Sequence, residues 1–234
     1  MQLFYNSDIK QGDSNFFFDK EESKHIVKVL RKKESDKIFI TNGLGFLFES
    51  EIILASEKKC EVKITKETFQ EPDAFYTHIA VAPTKMNDRL EWFLEKATEI
   101  GIHEITPIIC DHSERKVYKI DRAEKIIQAA MKQSLHYYIP KINEPISFSQ
   151  FVKSNIDGQK FIAHCEETDK KSFKNEVKKD EKITILIGPE GDFSTKEINL
   201  AIENNFIPVT LGNTRLRTET AALVACHTIA LINE

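Results

Sequence analysis

Apolar residues along this chain follow two rhythms that change near residue 70. Before it, "KIFITN", "FLFESEIIL" and "CEVKITKE" are short β-rich runs, and "NGLG" between the first two has hairpin-turn composition. One helix interrupts them, with Asp19 as its N-cap and Ile26, Val27 and Leu30 on one apolar face. Lys24, Lys28 and Arg31 fall at spacings of four and three, which predicts a shared basic face. These runs predict a small barrel carrying one basic helix.

The polar stretch "KETFQEPDAFY" reads as a linker. After it, strands alternate with helices. "HIAVAP" precedes a helix from about Asn87 to Gly101, built on Leu90, Phe93, Leu94, Ala97 and Ile100. "EITPII" precedes a long helix on Ile120, Ala123, Ile126, Ile127, Ala130 and Met131. "KFIAHC", "ITILIG" and "IPVTLG" are three more buried-type strands. Between the last two, Ser194 and Glu197 make a capping box. A final helix from about Thr220 is apolar nearly all round. This alternation predicts an α/β domain around a mostly parallel sheet covered on both faces.

Composition narrows the class. With 234 residues, 41% of them hydrophobic, the chain buries a large core in one or two domains. The start, "MQLFYNSDIK", has no basic-then-apolar signal. The longest apolar run, Ala221 to Ile232, is too short for a bilayer and holds His227 and Thr228. A cytoplasmic protein without a membrane segment is expected. Cys60, Cys110, Cys165 and Cys226 form no C-x-x-C pair, so neither a metal site nor a disulfide framework is expected. The formal net charge of −4 argues against indiscriminate coating of nucleic acid. It leaves room for local basic faces, in residues 20–37 and at Arg115, Lys116, Lys119 and Arg122.

In open α/β sheets, ligands sit beyond the carboxyl ends of the strands. Three loops qualify: His164 to Glu166, "GPEGD" (Gly188 to Asp192) and "LGNTRLRTETA" (Leu211 to Ala221). Their glycines let backbone approach a ligand. No Gly-Lys-Ser/Thr cradle, no G-x-G-x-x-G and no G-x-S-x-G elbow is present. Arg217 opposes the dipole of the last helix, which suggests a task. Thr218 or Thr220 reads as that helix's cap, and Glu219 offsets its dipole.

"IGPEGDFSTKE" followed by "LGNTRLRTETAAL" resembles the SPOUT methyltransferases, specifically the bacterial 16S ribosomal RNA uridine-N3 methyltransferases. "EKATEIGIHEITPI", "KQS" (Lys132 to Ser134) and "HIVKVLR" match that family in order, so the similarity covers the whole chain. The resemblance implies a PUA-like RNA-binding barrel over residues 1–70. Over 74–234 it implies a SPOUT domain whose C-terminal part threads a deep trefoil knot holding S-adenosylmethionine. Cofactor contacts would come from His164 and Glu166 on one loop and from Ile187, Gly188, Pro189, Glu190 and Gly191 on the next. Leu211, Gly212, Leu216, Arg217 and Thr218 would supply the third set. Arg217 and Glu219 would be catalytic, with Arg217 serving the uracil oxygens and Glu219 as the base. RNA would meet Lys24, His25, Lys28, Arg31, Arg89, Arg115 and Lys132.

The family also implies a homodimer and the small ribosomal subunit as partner. Asp192 departs from its usual second glycine, and Thr214 and Arg215 from its arginine-aliphatic pair. The segment "CDHSERKVYK" is poorer in arginine than the family. A transfer-RNA ribose 2'-O-methyltransferase and a non-catalytic RNA-binding module are the rival classes.

Overall fold

The computed structural model describes residues 1–167 and 169–234, which divide into two compact units. The first joins Met1–Pro72 to Met131–Ile139. Its strands are β1 (Leu3–Tyr5), β2 (Asn15–Phe17), β3 (Lys37–Thr41), β4 (Phe46–Leu54) and β5 (Glu61–Phe69). They form an open sheet in the order β1-β3-β4-β5-β2, around a core that includes Phe4, Phe18, Ile26, Ile40 and Phe48. The "NGLG" turn joins β3 to β4 as expected, with Gly43 and Gly45 at positive φ. Gly45 has no room for a Cβ because Tyr138 lies against it, and the Tyr138 hydroxyl donates to the Gln70 carbonyl at 2.8 Å. The Gly45 amide donates to the Tyr137 carbonyl at 2.9 Å, so a distant segment completes this unit.

Helix α1 (Lys20–Lys24) starts where expected, with the Asp19 carboxylate accepting the Glu22 amide at 2.8 Å. It then widens into a π-helical turn, His25–Val29, with the Leu30 amide donating to the His25 carbonyl at 2.9 Å. Arg31 lies beyond the helix at φ +54°. The expected basic face is corrected at one position: Lys24, Lys28 and Arg31 are all exposed, but Arg31 stands outside the helix rather than on its face. The linker is also shorter than the polar composition suggested, because β5 runs to Phe69.

The second unit contains Asp73–Ala130 and Pro140–Glu234. Its sheet elements are β6 (Tyr76–Val81), β7 (Glu104–Ile109), β8 (Lys141–Ile142), β9 (Ile146–Ser147), β10 (Gln159–Ala163), β11 (Lys171–Ser172), β12 (Lys182–Ile187) and β13 (Ile207–Thr210). The order is β11-β13-β10-β12-β6-β7-β8, with β9 beside β7, and every pairing is parallel. The helices are α2 (Asn87–Ile100), α3 (Asp121–Ser134, which runs on into the segment of the first unit), α4 (Phe148–Val152), α5 (Phe173–Glu176), α6 (Thr195–Glu203) and α7 (Thr218–Asn233). Gly101 ends α2 in the left-handed region, and the Ser194–Glu197 capping box opens α6. Central strands are buried on both faces, as their unbroken apolar runs require. Among the described residues no helix is long and apolar enough to cross a membrane.

Candidate functional site at the carboxyl ends of three strands

Ala163 of β10 stands level with Ile187 of β12 on one side and Val209 of β13 on the other. The three strands therefore end together and release their loops side by side, which is where parallel sheets place ligands. The loops enclose two clefts, of about 400 and 330 Å³, which share Ala163, Cys165, Arg215, Leu216 and Ala221. His164, Leu211 and Gly212 line the first, and Ile187, Gly188, Pro189, Glu190, Arg217 and Thr218 the second. Of the residues expected around a cofactor, Glu166 and Gly191 line neither cleft: the Glu166 carboxylate accepts from the Thr195 hydroxyl at 2.7 Å, and Gly191 packs against His112.

The glycine loop after β12 is held from several sides. Glu190 accepts the Lys85 amide at 3.0 Å, and the Thr218 hydroxyl donates to the Gly188 carbonyl at 3.0 Å. His112 Nδ1 lies 3.1 Å from the carbonyls of both Gly191 and Asp192, so that nitrogen carries the proton. Asp192 adopts φ +64°, a conformation that aspartate tolerates better than most residues. Its Oδ2 accepts the Cys165 amide at 2.7 Å, joining the loops after β10 and β12. Sequence reasoning marked Asp192 only as a departure, and it missed Lys85 and His112. An aspartate in a glycine-rich turn was the available signal for a side chain that bonds nearby backbone.

The reason for the glycines needs revision. A Cβ on Gly188 would meet the Phe193 ring at 3.2 Å, and one on Gly191 would meet His112 Cβ at 3.2 Å. At both positions a side chain would crowd protein atoms rather than enter the cleft. Gly212 alone of the three opens onto free space, at φ +149°.

Besides the Nε of Arg115, two side chains here hold buried polar atoms without hydrogen-bond partners. His164 is 7% exposed, and neither of its ring nitrogens has a hydrogen-bond partner. Burial, helped by the nearby Lys170 charge, pushes its pKa below the ordinary value and keeps the ring neutral. Lys170 itself donates to the carbonyls of His164 and Glu166, at 3.0 and 2.6 Å. The second group is Glu219, in the first turn of α7, whose Oε2 is buried without a partner.

The N-cap of α7 is Arg217, with no side-chain hydrogen bond, so neither threonine caps the helix. Thr218 is instead committed to Gly188. Arg89 reaches Glu219, and Arg115 donates to the Lys85 carbonyl at 3.0 Å, which places both beside these loops. Lys24, His25, Lys28, Arg31 and Lys132 belong to the first unit.

A larger cavity, of about 560 Å³, opens near the amino ends of β6, β7 and β12. Several of its polar groups are already paired: Tyr76, Lys141 and Asn143 donate to Glu104, and His78 bonds Thr106 at 2.7 Å. Size favours that cavity, whereas unpartnered chemistry favours the carboxyl-end clefts, and chemistry decides. No group of three or more potential metal ligands occurs among the described residues.

Comparison with known proteins identifies the family. Residues 71–230 match the family described as an RNA methyltransferase domain, and residues 18–65 match an RNA methyltransferase PUA domain. The "Ribosomal RNA small subunit methyltransferase E" of Buchnera aphidicola (from Acyrthosiphon pisum) is 33% identical, over 91% of this chain and 86% of its own. The solved "probable rRNA-methyltransferase" of Porphyromonas gingivalis superposes with a TM-score of 0.92 at 38% identity, covering 100% of this chain and 98% of its own. A Legionella pneumophila protein solved in complex with the cofactor SAM gives 0.88 at 27% identity, covering 99% of this chain and 97% of its own. On its sequence and its fold, this chain belongs to the RNA methyltransferase family that includes the small-subunit ribosomal RNA methyltransferases E.

Proposed function

We propose that this chain methylates N3 of a uridine in 16S ribosomal RNA, using S-adenosylmethionine. The observation that carries the reading is the meeting of three loops around joined clefts that contain an unpartnered, neutral His164. The residues present fit the cofactor. Ile187, Leu211 and Leu216 offer aliphatic walls for a flat adenine, and His164 has nitrogens to spend on a polar edge. When bound, the cofactor supplies an electrophilic methyl group on a sulfonium.

N3 of uracil is a weak nucleophile until its proton leaves. Arg217, at the mouth of the second cleft, meets the charge that then builds on the uracil oxygens. The exposed lysines and arginine of the first unit hold phosphates. The reading carries with it the knotted C-terminal thread and a second copy packed on the outward side of α7, where Leu231 is 58% exposed. Sedimentation as an active monomer would contradict the second copy.

Incubation with 16S ribosomal RNA, free and in small subunits, followed by nucleoside analysis tests the reaction. 3-Methyluridine is expected. A ribose-methylated nucleoside, or no incorporation into either substrate, overturns the reading.

A further inference from the structure

The two carboxyl-end clefts differ in charge. Lys170 and Arg215 line the first, and no carboxylate does. The second has Glu190 and Asp192 as well as Arg215 and Arg217. Its acids are engaged, since Glu190 accepts the Lys85 amide and both oxygens of Asp192 accept backbone amides. Lys170 is engaged too, its ammonium held by the carbonyls of His164 and Glu166. Arg215 is not. It is exposed, lines both clefts, and makes no hydrogen bond or ion pair among the described residues.

The charges of Lys170 and Arg215 meet at one place. Cys165 lines both clefts. Burial and the Asp192 charge push its thiol up, and Arg215 and Lys170 both act against them. Two cations, one from the loop after β10 and one from the loop after β13, therefore converge on a residue that the clefts share. Like charges held close repel, and an incoming anion relieves that repulsion. The planar fork of arginine suits a two-oxygen anion such as a carboxylate.

S-Adenosylmethionine carries one carboxylate, at its amino-acid end. Its sulfonium and ammonium are cations, which Lys170 and Arg215 would repel, and its adenine and ribose are uncharged. Only the carboxylate complements this pair. An RNA phosphate has similar oxygens, but Arg215 lies on a wall common to both clefts, where the cofactor is proposed to sit.

We infer that Arg215 holds the carboxylate at the amino-acid end of the cofactor, and so makes this chain select the complete cofactor over forms that lack that group. The inference rests on the placement of S-adenosylmethionine in these clefts. It gives a task to a position that the sequence marks only as a departure from the family pattern.

Calorimetric titration of the full chain with S-adenosylmethionine, and with its decarboxylated form, tests it. The second ligand keeps the sulfonium and the amine and lacks only the carboxylate. The unaltered protein should bind S-adenosylmethionine about fivefold more tightly, the upper range for an ion pair open to solvent. In Arg215→Leu that preference should fall to less than about twofold, with the decarboxylated form bound at least as well as before.

Equal affinity of the unaltered protein for the two forms overturns the inference. So does an Arg215→Leu protein that keeps the full preference, or one that loses affinity for both forms alike. A kept preference together with weaker binding of 16S ribosomal RNA would assign Arg215 to a phosphate instead. If Arg215→Leu does not fold, Arg215→Gln decides by the same criteria. Binding of neither form by the unaltered protein would reject the cofactor site itself and the inference with it, whereas equal binding of both would reject the inference alone.

Discussion

Asp192 accepts the backbone amide of Cys165 at 2.7 Å, joining two loops whose residues are 27 positions apart. Its other oxygen accepts the amide of Phe193 at 2.9 Å, so both oxygens bond backbone. The link fixes the gap between the strand ends where the cofactor is proposed to lie. Hydrogen bonds to charged groups contribute about 1.5–3 kcal/mol. Asp192→Gly relieves the positive φ but removes the link. Overall stability should therefore fall by less than that figure, while cofactor affinity drops about tenfold. Hydrogen exchange at the Cys165 amide should speed up in the variant. An unchanged exchange rate there would mean that the link is idle.

The glycines of the neighbouring loop separate packing from ligand approach. Gly188→Ala drives a methyl into Phe193, which is 2% exposed, and overpacking of this kind costs about 1–3 kcal/mol. Gly191→Ala presses on the exposed His112 and should cost less. Gly212→Ala meets no neighbour within 4 Å, so only its backbone conformation at φ +149° resists the change. Urea unfolding should rank Gly188→Ala as the least stable of the three. A Gly188→Ala protein as stable as the parent would show that Phe193 yields freely.

Much of this site can be read from the chain before any coordinates, and the residues show why. Ile185, Ile162 and Val209 lie in apolar runs that only a buried parallel strand explains, and each run is followed by a loop with glycine or polar residues. Helix ends were legible where one side chain acts locally, as at Asp19 and Ser194. What stayed hidden depends on distant partners. Nothing near Thr218 in sequence announces that its hydroxyl is taken by Gly188, 30 positions away. The docking of Tyr138 on Gly45 is likewise non-local, so the first unit looks complete at residue 70 when it is not. The π-helical turn at His25–Val29 was missed because its apolar residues also satisfy an α-helical pattern.

The amino-end cavity predicts a pH dependence. Burial pushes His78 down to about 4, against the attraction of Glu104 and with some help from Lys141. The unfolded chain takes up a proton on His78 as pH falls through about 6.5, whereas the folded chain resists until about 4. The unfolded state thus binds more protons across that window, and stability falls as pH falls through it. The loss attributable to His78 approaches about 3 kcal/mol at its lower end. Glu104 adds to the trend. Burial would raise its carboxyl, but hydrogen bonds from Asn143, Lys141 and Tyr76 and the nearby His78 hold it low. Unfolding free energies of His78→Gln and the parent, measured between pH 7.5 and 4.5, should converge as pH falls. Parallel curves would place the titration elsewhere.

Arg217 sets stability against function at a single position. It caps α7 without a side-chain hydrogen bond and brings a cation to the positive end of the helix dipole. Serine in its place would accept a first-turn amide and remove that repulsion, which should stabilise the fold by about 1 kcal/mol. The same substitution removes the donor proposed to meet the charge on the uracil oxygens. Loss of one such donor slows comparable reactions by about two to three orders of magnitude. Arg217→Ser should therefore unfold at a higher urea concentration, bind cofactor about as well as the parent, and methylate slowly in single-turnover assays. A variant that gained stability and kept its rate would reduce Arg217 to a poor cap. One that lost both stability and rate would make its role architectural, because the catalytic reading requires the two effects to have opposite signs.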